Sequence, residues 1–572
     1  MSLPPNIESH LPRSRPLYIA LILTASILIC VPIYYNGVPT GNGYDLRQHY
    51  QFAQVIYDTV QNGKIYPDWT ATTNAGYGDI GLRFYPPLAY YVLAGFHAVA
   101  GDWYPASFLT FTLWFFLSGL GIYLWAREWF EENASLFAAL VYIVMPYHVS
   151  ELYNAFTYAE FAASAILPFC FLFVTRICKN KGPLNLVGLA ISYALLVLSH
   201  VPVAFIGSIA LFAYSLSFFN RETFVPTFLK LSSGSLLGAL ASSFYWIRMV
   251  TEFDFVRHAT DEFTVAAYDF HSNFALSYFY VGAKQYSSGS LWFCDLVLLM
   301  SAMFFVPALL ASISLIKRHS LTPLLVLLFF GLFMATPVSL PVWEHFPLLQ
   351  KVQFPWRWLA VISMSGAVLS GFAFNILANF FAPQKRPVAI LIGGLVLAGT
   401  IFTATQVIRP VNYFSRAEFA KLTQGLQEAN SYECWWPVWA NKKALAVTEK
   451  VSLADRRYKI ESWQPNERLF DIDAGAAQTV RIATFWYPRW RAEVTGSPVE
   501  VSRDGNGAIS IPIPAEKAMV LLRFQETAAF HIACVTSAIA WLLMFSLLGL
   551  SCLKAGSLFK SKSFPVNEEY SA

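Results

Sequence analysis

Two ionisable side chains with catalytic potential stand close together early in the sequence. Asp45 and His49 occur in the segment GNGYDLRQHY, and their spacing of four residues places them on one face of a helix. A carboxylate can accept the proton of a hydroxyl group while an imidazole one turn away orients or donates. The structural alternative is a helix-capping Asp45 beside a solvated His49.

A second polar cluster occurs in the segment MPYHVSELYNAFTYAEF. Its members are Tyr147, His148, Glu151, Tyr158 and Glu160. Glu160 begins an apolar run, where an unpaired carboxylate is costly, so we expect it to have a polar partner or a substrate. The alternative is a carboxylate that is stabilised only by the dipole at a helix N-terminus.

Cationic side chains suited to binding anions follow later in the chain. Arg357 lies in QFPWRWL, four residues after Gln353, and Arg257 and His258 lie in a loop that begins near residue 249. A guanidinium presents a planar fork of donors that matches phosphate or carboxylate. The alternative for Arg357 is an interfacial arginine that extends its charge out of an aromatic belt. The sequence lacks the motifs of zinc proteases, P-loop nucleotide triphosphatases, nucleophile-elbow hydrolases and dinucleotide-binding enzymes.

Composition places these residues in a membrane protein. Of the 572 residues 56% are hydrophobic and only 13% are charged, with a mean hydropathy of +0.47, which excludes a soluble multidomain enzyme and a disordered or fibrous chain. The net charge of +4 is too small for a nucleic-acid-binding surface. The seven cysteines form neither a disulfide framework nor a CxxC metal site.

The apolar runs predict a polytopic α-helical membrane protein with about twelve transmembrane helices, each needing about 20 residues. Assigning the basic clusters between runs to the cytoplasm places both termini there. A further run at about 84–101, which begins FYPPLAYY, is then predicted to lie on the outer interface. The predicted spans begin and end at about residues 17–35, 106–126, 134–149, 157–175, 184–200, 201–219, 227–248, 291–316, 321–337, 356–381, 388–408 and 528–553.

Three longer segments are predicted to lie outside the membrane, at about 36–105, 249–290 and 407–527. The last contains alternating runs such as TVRIATFW and MVLLRF with turn residues between them, which is typical of strands. The predicted organisation is therefore a transmembrane domain over 1–406 and an extracytoplasmic β-domain, a sandwich, over 407–527. A final transmembrane helix over 528–553 and a cytoplasmic tail over 554–572 follow.

In layout, these features resemble the GT-C superfamily of integral-membrane glycosyltransferases. The resemblance rests on Asp45 early in a large outer loop, the helix from Phe84, Glu160 after the third span, and the outer region 407–527. The motifs GYDLRQHY, AGYGDIGLRFYPPLAYY, QFPWRWL and FWYPRWRAEVTG are similar to bacterial membrane proteins described as 6-pyruvoyl-tetrahydropterin-synthase-related, a name whose pterin chemistry has no evident site in this sequence. The last motif also resembles the outer domain of YfhO-like proteins.

This resemblance implies an inverting transfer of a sugar from a polyprenyl-phosphate donor to a glycan, lipid or protein acceptor, on the outer face of the bacterial cytoplasmic membrane. Asp45 would be the general base, supported by His49, while Glu160 and His148 would position the acceptor or the developing positive charge. Arg357, Arg257 and Arg83 would stabilise the phosphate, and Tyr147, His258 and Gln353 complete the predicted substrate site. Many GT-C enzymes carry a second acid beside the first, whereas Tyr44 and Leu46 flank Asp45 here. The sequence therefore gives no support for a divalent metal and requires no other cofactor.

Two non-enzymatic functions are alternatives. A transporter or scramblase of a lipid-linked glycan would use the same outer polar residues, although transporters favour polar or broken helices near mid-membrane and often repeated halves. A membrane-anchored glycan-binding scaffold would act through the outer β-domain. Tryptophan faces that could stack on sugar rings, unless a strand-rich core buries them, occur at Trp435–Trp439, Trp463, Trp486 and Trp490.

Overall fold

The computed structural model describes residues 15–41, 45–260, 269–276, 321–380, 386–426 and 428–561. The predicted span at 291–316 lies outside these residues, as do parts of the predicted loop 249–290 and the tail from 562 onward. The described part is a helical bundle with a β-rich region inserted before its last helix. The protein is thus a polytopic α-helical membrane protein with a small β-rich region, as the sequence predicts.

The helices are numbered in chain order through the described residues. Their bounds are α1 Arg15–Asn36, α2 Asp45–Gln61, α3 Gly81–Phe84, α4 Leu88–Ala100, α5 Trp103–Ala126, α6 Glu132–Ile143, α7 Pro146–Tyr153, α8 Tyr158–Cys178, α9 Leu184–Val197, α10 Val201–Leu216, α11 Phe224–Ala241, α12 Ser243–Glu252, α13 Thr322–Ala335, α14 Leu340–His345, α15 Pro347–Gln350, α16 Leu359–Phe380, α17 Arg386–Ile408, α18 Arg416–Thr423 and α19 Ala528–Ser561.

Eight helices of the described chain are long and apolar enough to cross a membrane, or nine if one bent pair is a single span. These eight correspond to predicted spans, and one of them consists of α6 and α7 on either side of a break before Pro146. The predicted spans at 184–200 and 201–219 are the shorter helices α9 and α10. The predicted span at 321–337 is one arm of the bent pair, which turns by 81°. Of the twelve predicted spans, eight are therefore long enough to cross a membrane, two are shorter helices, one is an arm of the bent pair, and one lies outside the described residues.

Helix α4 is too short to cross a bilayer. It has 13 residues and ends at Gly101, whose left-handed backbone (φ +70°) terminates the helix. The next residue, Asp102, caps α5 by accepting a hydrogen bond from the backbone N–H of Tyr104. The predicted run at 84–101 is thus a short helix preceded by α3, and it begins after the paired prolines Pro86 and Pro87.

The β-rich region consists of two antiparallel sheets with a common hydrophobic core. Inward-facing residues alternate with exposed ones, as in strand Ala518–Phe524, which accounts for the period-two pattern in the sequence. One sheet has the order β3-β6-β10-β9 and the other β4-β5-β11-β7-β8. The bounds are β3 Val451–Ser452, β4 Tyr458–Gln464, β5 Glu467–Ile472, β6 Gln478–Phe485, β7 Trp490–Val494, β8 Ser497–Val499, β9 Ser502–Arg503, β10 Ala508–Ile513 and β11 Ala518–Phe524, while β1 Val38–Pro39 and β2 Tyr413–Phe414 lie outside these sheets.

Strands β1 and β2 join two distant parts of the chain. Val38 pairs with Phe414 and Pro39 with Tyr413, so the segment after α1 lies against the segment after α17. Farther along, Gln51 of α2 donates hydrogen bonds to the carbonyls of Leu426 and Ala429, 3.0 and 2.8 Å away. The first long loop and the segment that leads to the β-sheets therefore meet at the same end of the bundle.

A buried ion-pair network, here called the Arg83 network, fastens these parts together. The Arg83 guanidinium donates to Oε2 of Glu252 from Nε and Nη2, over 3.0 and 2.7 Å, and to Oε1 of Glu526 from Nη1, over 2.5 Å. Glu252 also accepts from the Tyr487 hydroxyl at 2.6 Å and from Arg489 Nε at 2.8 Å. The network thus links α3, the end of α12, the β-sheets and the residues just before α19.

A second arginine, Arg248, balances the remaining negative charge of the Arg83 network. Arg248 Nη2 contacts Oδ1 of Asp68 at 2.7 Å and Oε1 of Glu526 at 2.9 Å. Burial by itself would raise the pKa of Glu252, but the Arg83 charge and the hydrogen bonds from Tyr487 and Arg489 hold that pKa below its usual range. Glu252 is therefore ionised at neutral pH.

We predict that Glu252→Gln strongly destabilises the protein. Removing one partner of a buried ion pair leaves an uncompensated charge, which costs about 3–5 kcal/mol. The matched control is Glu467→Gln, which breaks the exposed pair with Arg523 and should cost about 1 kcal/mol or less. Thermal unfolding of the purified proteins in detergent measures both changes, and equal losses of stability would contradict the structural role of the network.

We also predict that both termini are cytoplasmic and that the β-rich region is external, because every basic cluster then follows the positive-inside bias. A cysteine introduced near Gly505, in a turn between β9 and β10, should react with an impermeant thiol reagent in intact cells. The parent protein controls for native cysteines. Labelling of the new cysteine only after permeabilisation would reverse the predicted topology.

Candidate functional site

Asp45 is the first residue of α2, and its carboxylate is open to solvent. No described residue donates a hydrogen bond to it or forms an ion pair with it. The protein around Asp45 nevertheless desolvates the carboxyl group and raises its pKa above the usual range, while the positive charge of Arg357 opposes part of that rise. Asp45 is therefore an accessible carboxylate without a structural partner in the described chain.

His49 follows one turn later on α2 but is buried. Its Nδ1 lies 2.6 Å from the Tyr90 hydroxyl, and its ring packs edge-on against Tyr85 and Tyr158. Burial lowers the pKa of the His49 imidazole to about 3, so the ring is neutral at physiological pH. The structure does not bring the His49 ring to Asp45. The imidazole is instead hydrogen-bonded to Tyr90 and lies in an aromatic cluster.

Glu160 and Arg357 form a buried ion pair. Arg357 Nε donates to Oε2 of Glu160 over 3.0 Å, and the Tyr147 hydroxyl donates to Oε1 over 2.8 Å. Arg357 Nη1 donates to the Val352 carbonyl at 2.5 Å, and its guanidinium lies 4.7 Å from the centre of the Phe354 ring. Glu160 therefore has the polar partner that its position in an apolar run requires. Arg357 is buried and paired, and does not extend its charge out of an aromatic belt as the alternative supposed.

The third guanidinium nitrogen of Arg357, Nη2, has no hydrogen-bonding partner among the described residues, whereas Nε and Nη1 are both held. The short 3-10 helix Pro355–Trp358 carries this arginine, and it follows Gln353, whose backbone is left-handed at φ +67°. That uncommon conformation for a residue other than glycine turns the chain immediately before the arginine.

His148 is buried and hydrogen-bonded within the helical bundle. Its Nδ1 is 2.9 Å from Oε2 of Glu151, and its Nε2 is 3.0 Å from the Ser118 hydroxyl. Ser164 donates to the other oxygen of Glu151 at 2.6 Å. These contacts satisfy the polar atoms of His148, so the structure places this histidine in support of the helices and not against a substrate.

Two predicted phosphate ligands are engaged elsewhere. Arg83 belongs to the Arg83 network, where two carboxylates take its donors. Arg257 Nη1 contacts Oε2 of Glu433 at 3.2 Å, and its Nη2 donates to the Ala440 carbonyl at 2.5 Å. Arg83 therefore joins α3 to α12 and to the residues before α19, and Arg257 joins its loop to the segment of Glu433 and Ala440, so these donors are already paired within the protein.

Further residues surround Asp45 and Arg357, and we call the whole group the Asp45 site. His258 stacks on Trp435 with ring centres 5.1 Å apart, and burial, aided by the charge of Arg357, lowers the pKa of His258. Trp435 also contacts Tyr85 edge-on at 5.4 Å. The members of the site are Asp45, Tyr85, Glu160, His200, His258, Arg357 and Trp435.

Sequence reasoning did not include Tyr85, His200 or Trp435 among the site residues. In the sequence, Trp435 is only one of several tryptophans that could stack on sugar rings, Tyr85 is part of the FYPPLAYY run, and His200 is a single histidine between two apolar runs. The only signal in the sequence was position, since His200 and Trp435 are predicted at the same outer side as Asp45. Trp436 and Trp490 are buried, with about 1% of each residue exposed, while Trp486 and one edge of Trp490 line a surface pocket of about 280 Å³.

The described residues contain no group of three or more histidine, cysteine, aspartate or glutamate side chains placed to hold a metal ion. The Asp45 site instead offers one accessible carboxylate, one guanidinium with a donor to spare, and aromatic walls. Such a set can accept a proton and bind an anion within the same site.

Comparison with solved structures found several membrane glycosyltransferases. The oligosaccharyltransferase of Archaeoglobus fulgidus in its apo form is 14% identical with a TM-score of 0.42, over 70% of this chain and 57% of that one. The mycobacterial arabinofuranosyltransferase AftD is 13% identical with a TM-score of 0.47, over 70% and 27%. ArnT of Cupriavidus metallidurans bound to undecaprenyl phosphate is 12% identical with a TM-score of 0.39, over 72% and 77%. At these scores the similarity assigns no activity to this chain, which spans little more than half of the archaeal enzyme.

The comparison with curated proteins gave no match. A family model for the 6-pyruvoyl-tetrahydropterin synthase related domain, described as a membrane protein, matches residues 82–407. This match covers more than half of the 572 residues and includes α3 through α17, with the Glu160–Arg357 pair. The chain therefore belongs to the 6-pyruvoyl-tetrahydropterin synthase related family of membrane proteins.

Proposed function

We propose that this protein is an inverting glycosyltransferase that moves a sugar from a polyprenyl-phosphate donor to an acceptor hydroxyl on the outer face of the bacterial cytoplasmic membrane. One observation carries the proposal. Asp45 is an accessible carboxylate without a hydrogen-bonding partner among the described residues, and it lies within electrostatic range of a guanidinium that keeps one donor atom free. A base and an anion-binding group are thus present in one site, in the layout that resembles GT-C enzymes.

In this mechanism Asp45 takes the proton of the acceptor hydroxyl as the acceptor oxygen attacks the anomeric carbon. The bond from that carbon to the phosphate oxygen breaks, polyprenyl phosphate leaves, and the configuration at the anomeric carbon is inverted. The raised pKa of Asp45 makes its carboxylate a stronger base than an ordinary aspartate at neutral pH. The phosphate needs cationic stabilisation more than protonation, because it is already ionised.

Arg357 supplies that stabilisation from a fixed position. Glu160 and the Val352 carbonyl hold Nε and Nη1, so Nη2 is available to a phosphate oxygen without a search among rotamers. Tyr147 in turn fixes Glu160. In this proposal Glu160 therefore positions Arg357, and its negative charge also favours the positive charge that develops on the sugar.

In this proposal His49 and His148, which the sequence places among the site residues, have supporting roles. His49 holds Tyr90, and the neutral imidazole keeps the wall beside Asp45 free of charge. His148 stabilises the contact of α7 with α5 and α8 through Ser118, Glu151 and Ser164. These four side chains are thus paired with one another, which leaves His148 without a free ring nitrogen for a substrate.

The acceptor can be a glycan, a lipid or a protein. We assign the sugar-contacting surface to Trp435 and Tyr85, because both aromatic rings belong to the Asp45 site and Trp435 is only partly buried. Stacking of sugars on aromatic faces is driven by apolar contact and oriented by neighbouring polar groups. The β-rich region then contributes through the segment that leads to it, and not through chemistry of its own.

We predict that Asp45→Asn abolishes transfer while the protein still folds. The amide keeps the shape of the side chain but is not a base, and loss of a general base lowers the rate by about 10² to 10⁴. Release of undecaprenyl phosphate from a panel of undecaprenyl-phosphate-linked sugars, with the purified protein in lipid vesicles, measures this. As the pH is lowered, the wild-type rate should begin to fall while the pH is still above 3.8, the ordinary pKa of an aspartate. The reason is that the pKa of Asp45 is raised, and protonation of Asp45 removes the base. Near-normal turnover by Asp45→Asn refutes the role.

We further predict that Arg357→Lys weakens binding of undecaprenyl phosphate more than it lowers stability. Lysine keeps the charge but loses the fork that bonds Glu160 and a phosphate oxygen together. Arg257→Lys is the matched control, since Arg257 pairs with Glu433 outside the Asp45 site. Affinity and thermal unfolding are measured on the same samples, and unchanged affinity with a large fall in melting temperature contradicts the phosphate role.

A further inference from the structure

His200 is a buried histidine that lacks hydrogen-bonding partners. It precedes α10, its side chain is almost fully enclosed, and neither ring nitrogen bonds to any other described residue. Nδ1 in particular is shielded from solvent without a partner. Buried polar atoms are nearly always hydrogen-bonded, and an unsatisfied one costs stability, so this exception requires a reason.

The position of His200 supplies a reason. The imidazole lies within electrostatic range of both Arg357 and His49 and therefore belongs to the Asp45 site. The turn that carries it is fixed, since the Leu198 carbonyl accepts a hydrogen bond from the backbone N–H of Leu88 at 2.9 Å. That contact ties the turn to the start of α4, the helix that also carries Tyr90, the partner of His49. The unpaired ring is thus carried by a fixed turn and lies within electrostatic range of Arg357.

Other histidines of the described chain differ in this respect. His49 bonds to Tyr90, and His148 bonds to Glu151 and Ser118. His97 also has an unpartnered Nδ1, but its ring stacks on Trp103 at 3.8 Å, toward the end of α4 opposite to the His200 turn. The stacking contact with Trp103 accounts for His97 as a packing residue, whereas no ring of the described residues stacks on His200.

The chemistry of the neighbours selects the ligand. An arginine offers only donors, so a group that contacts both Arg357 and an imidazole N–H must be an acceptor, and a phosphate oxygen meets both requirements. Because Nδ1 is enclosed, the proton is better placed on Nε2, which leaves an unused lone pair and not an unused donor in the buried position. The Nε2–H group is then the one presented to the ligand.

We propose that His200 is a phosphate-binding residue, which donates its Nε2–H to an oxygen of the donor phosphate beside Arg357. This inference rests on the proposed function. It assigns to the donor phosphate a second protein ligand, from the turn between α9 and α10, in addition to the arginine. The donor phosphate would supply the hydrogen-bonding partner that Nε2–H lacks among the described residues.

The test compares three substitutions that separate the two ring nitrogens. Glutamine places an amide nitrogen near the position of Nε2, asparagine reaches only the position of Nδ1, and leucine removes both. We expect His200→Gln to bind undecaprenyl phosphate within about threefold of wild type, and His200→Asn and His200→Leu to bind about tenfold or more weakly, as loss of a hydrogen bond to a charged group predicts. His97→Leu is the control and should bind as wild type does.

Thermal unfolding without and with undecaprenyl phosphate provides the second measurement. Without ligand, His200→Leu should be at least as stable as wild type, because it removes an unsatisfied buried polar group. With saturating ligand, the stabilisation seen for wild type and for His97→Leu should be reduced in His200→Leu. A merely structural histidine would give the opposite pattern, with lower stability in the empty protein and an unchanged response to the ligand.

The outcomes distinguish this inference from the proposed function. If wild type binds undecaprenyl phosphate and His200→Leu binds it equally well, His200 is not a phosphate ligand, while the glycosyltransferase proposal is unaffected. If His200→Gln is as weak as His200→Leu, the assignment of the Nε2–H donor is overturned. If wild type itself does not bind undecaprenyl phosphate, the polyprenyl-phosphate function fails and this inference fails with it.

Discussion

The buried pair of Glu160 and Arg357 is the interaction on which the site depends. Each charge would be expensive in an apolar bundle without the other, and together they hold α8 against the 3-10 helix that precedes α16. Tyr147 and the Val352 carbonyl complete the hydrogen bonds of the pair. As a result the guanidinium keeps one fixed orientation, and Arg357 lies within electrostatic range of Asp45. Removing Glu160 alone would leave Arg357 as an unpaired buried charge and would also release the one strong cation of this site.

The β-rich region and the first long loop are joined by a second set of charges. The Arg83 network connects α3, α12, the β-sheets and the start of α19, so the β-rich region is fastened to the first long loop at several points. The loop residues next to Trp435 are in turn bonded to α2 through Gln48, whose side-chain oxygen accepts from the Tyr432 N–H. An aromatic wall of the Asp45 site thus comes from a segment almost 400 residues away in the sequence. The two paired charge clusters thus have different tasks, one at the site and one at the junction with the β-rich region.

Individual residues show where sequence reasoning succeeded and where it could not. Glu160 was expected to need a polar partner because of its position in an apolar run, and Arg357 was expected to bind an anion, yet nothing in either local sequence indicated that they bind each other. His49 was placed correctly on a helix with Asp45, but its orientation toward Tyr90 follows from the packing of α4 against α2. Arg83 and Arg257 have the same chemistry as Arg357 and differ only in the carboxylates that lie near them after folding. A single histidine between apolar runs, such as His200, belongs to no sequence pattern that would predict a ligand-binding role.

The sequence by itself determined the membrane class, the positions of most spans and the presence of the β-rich region, because these depend on the length and period of apolar runs along one segment. Its motifs also placed Asp45, Glu160 and Arg357 among the residues of interest. Only the tertiary structure decided which arginines are free to meet a ligand, which histidines are satisfied, and which tryptophans are exposed, since each depends on partners far away in the chain. The physical reason is that hydrophobic periodicity is a local property, whereas the pairing of a buried charge or polar atom is set by whatever groups folding brings within about 3 Å of it.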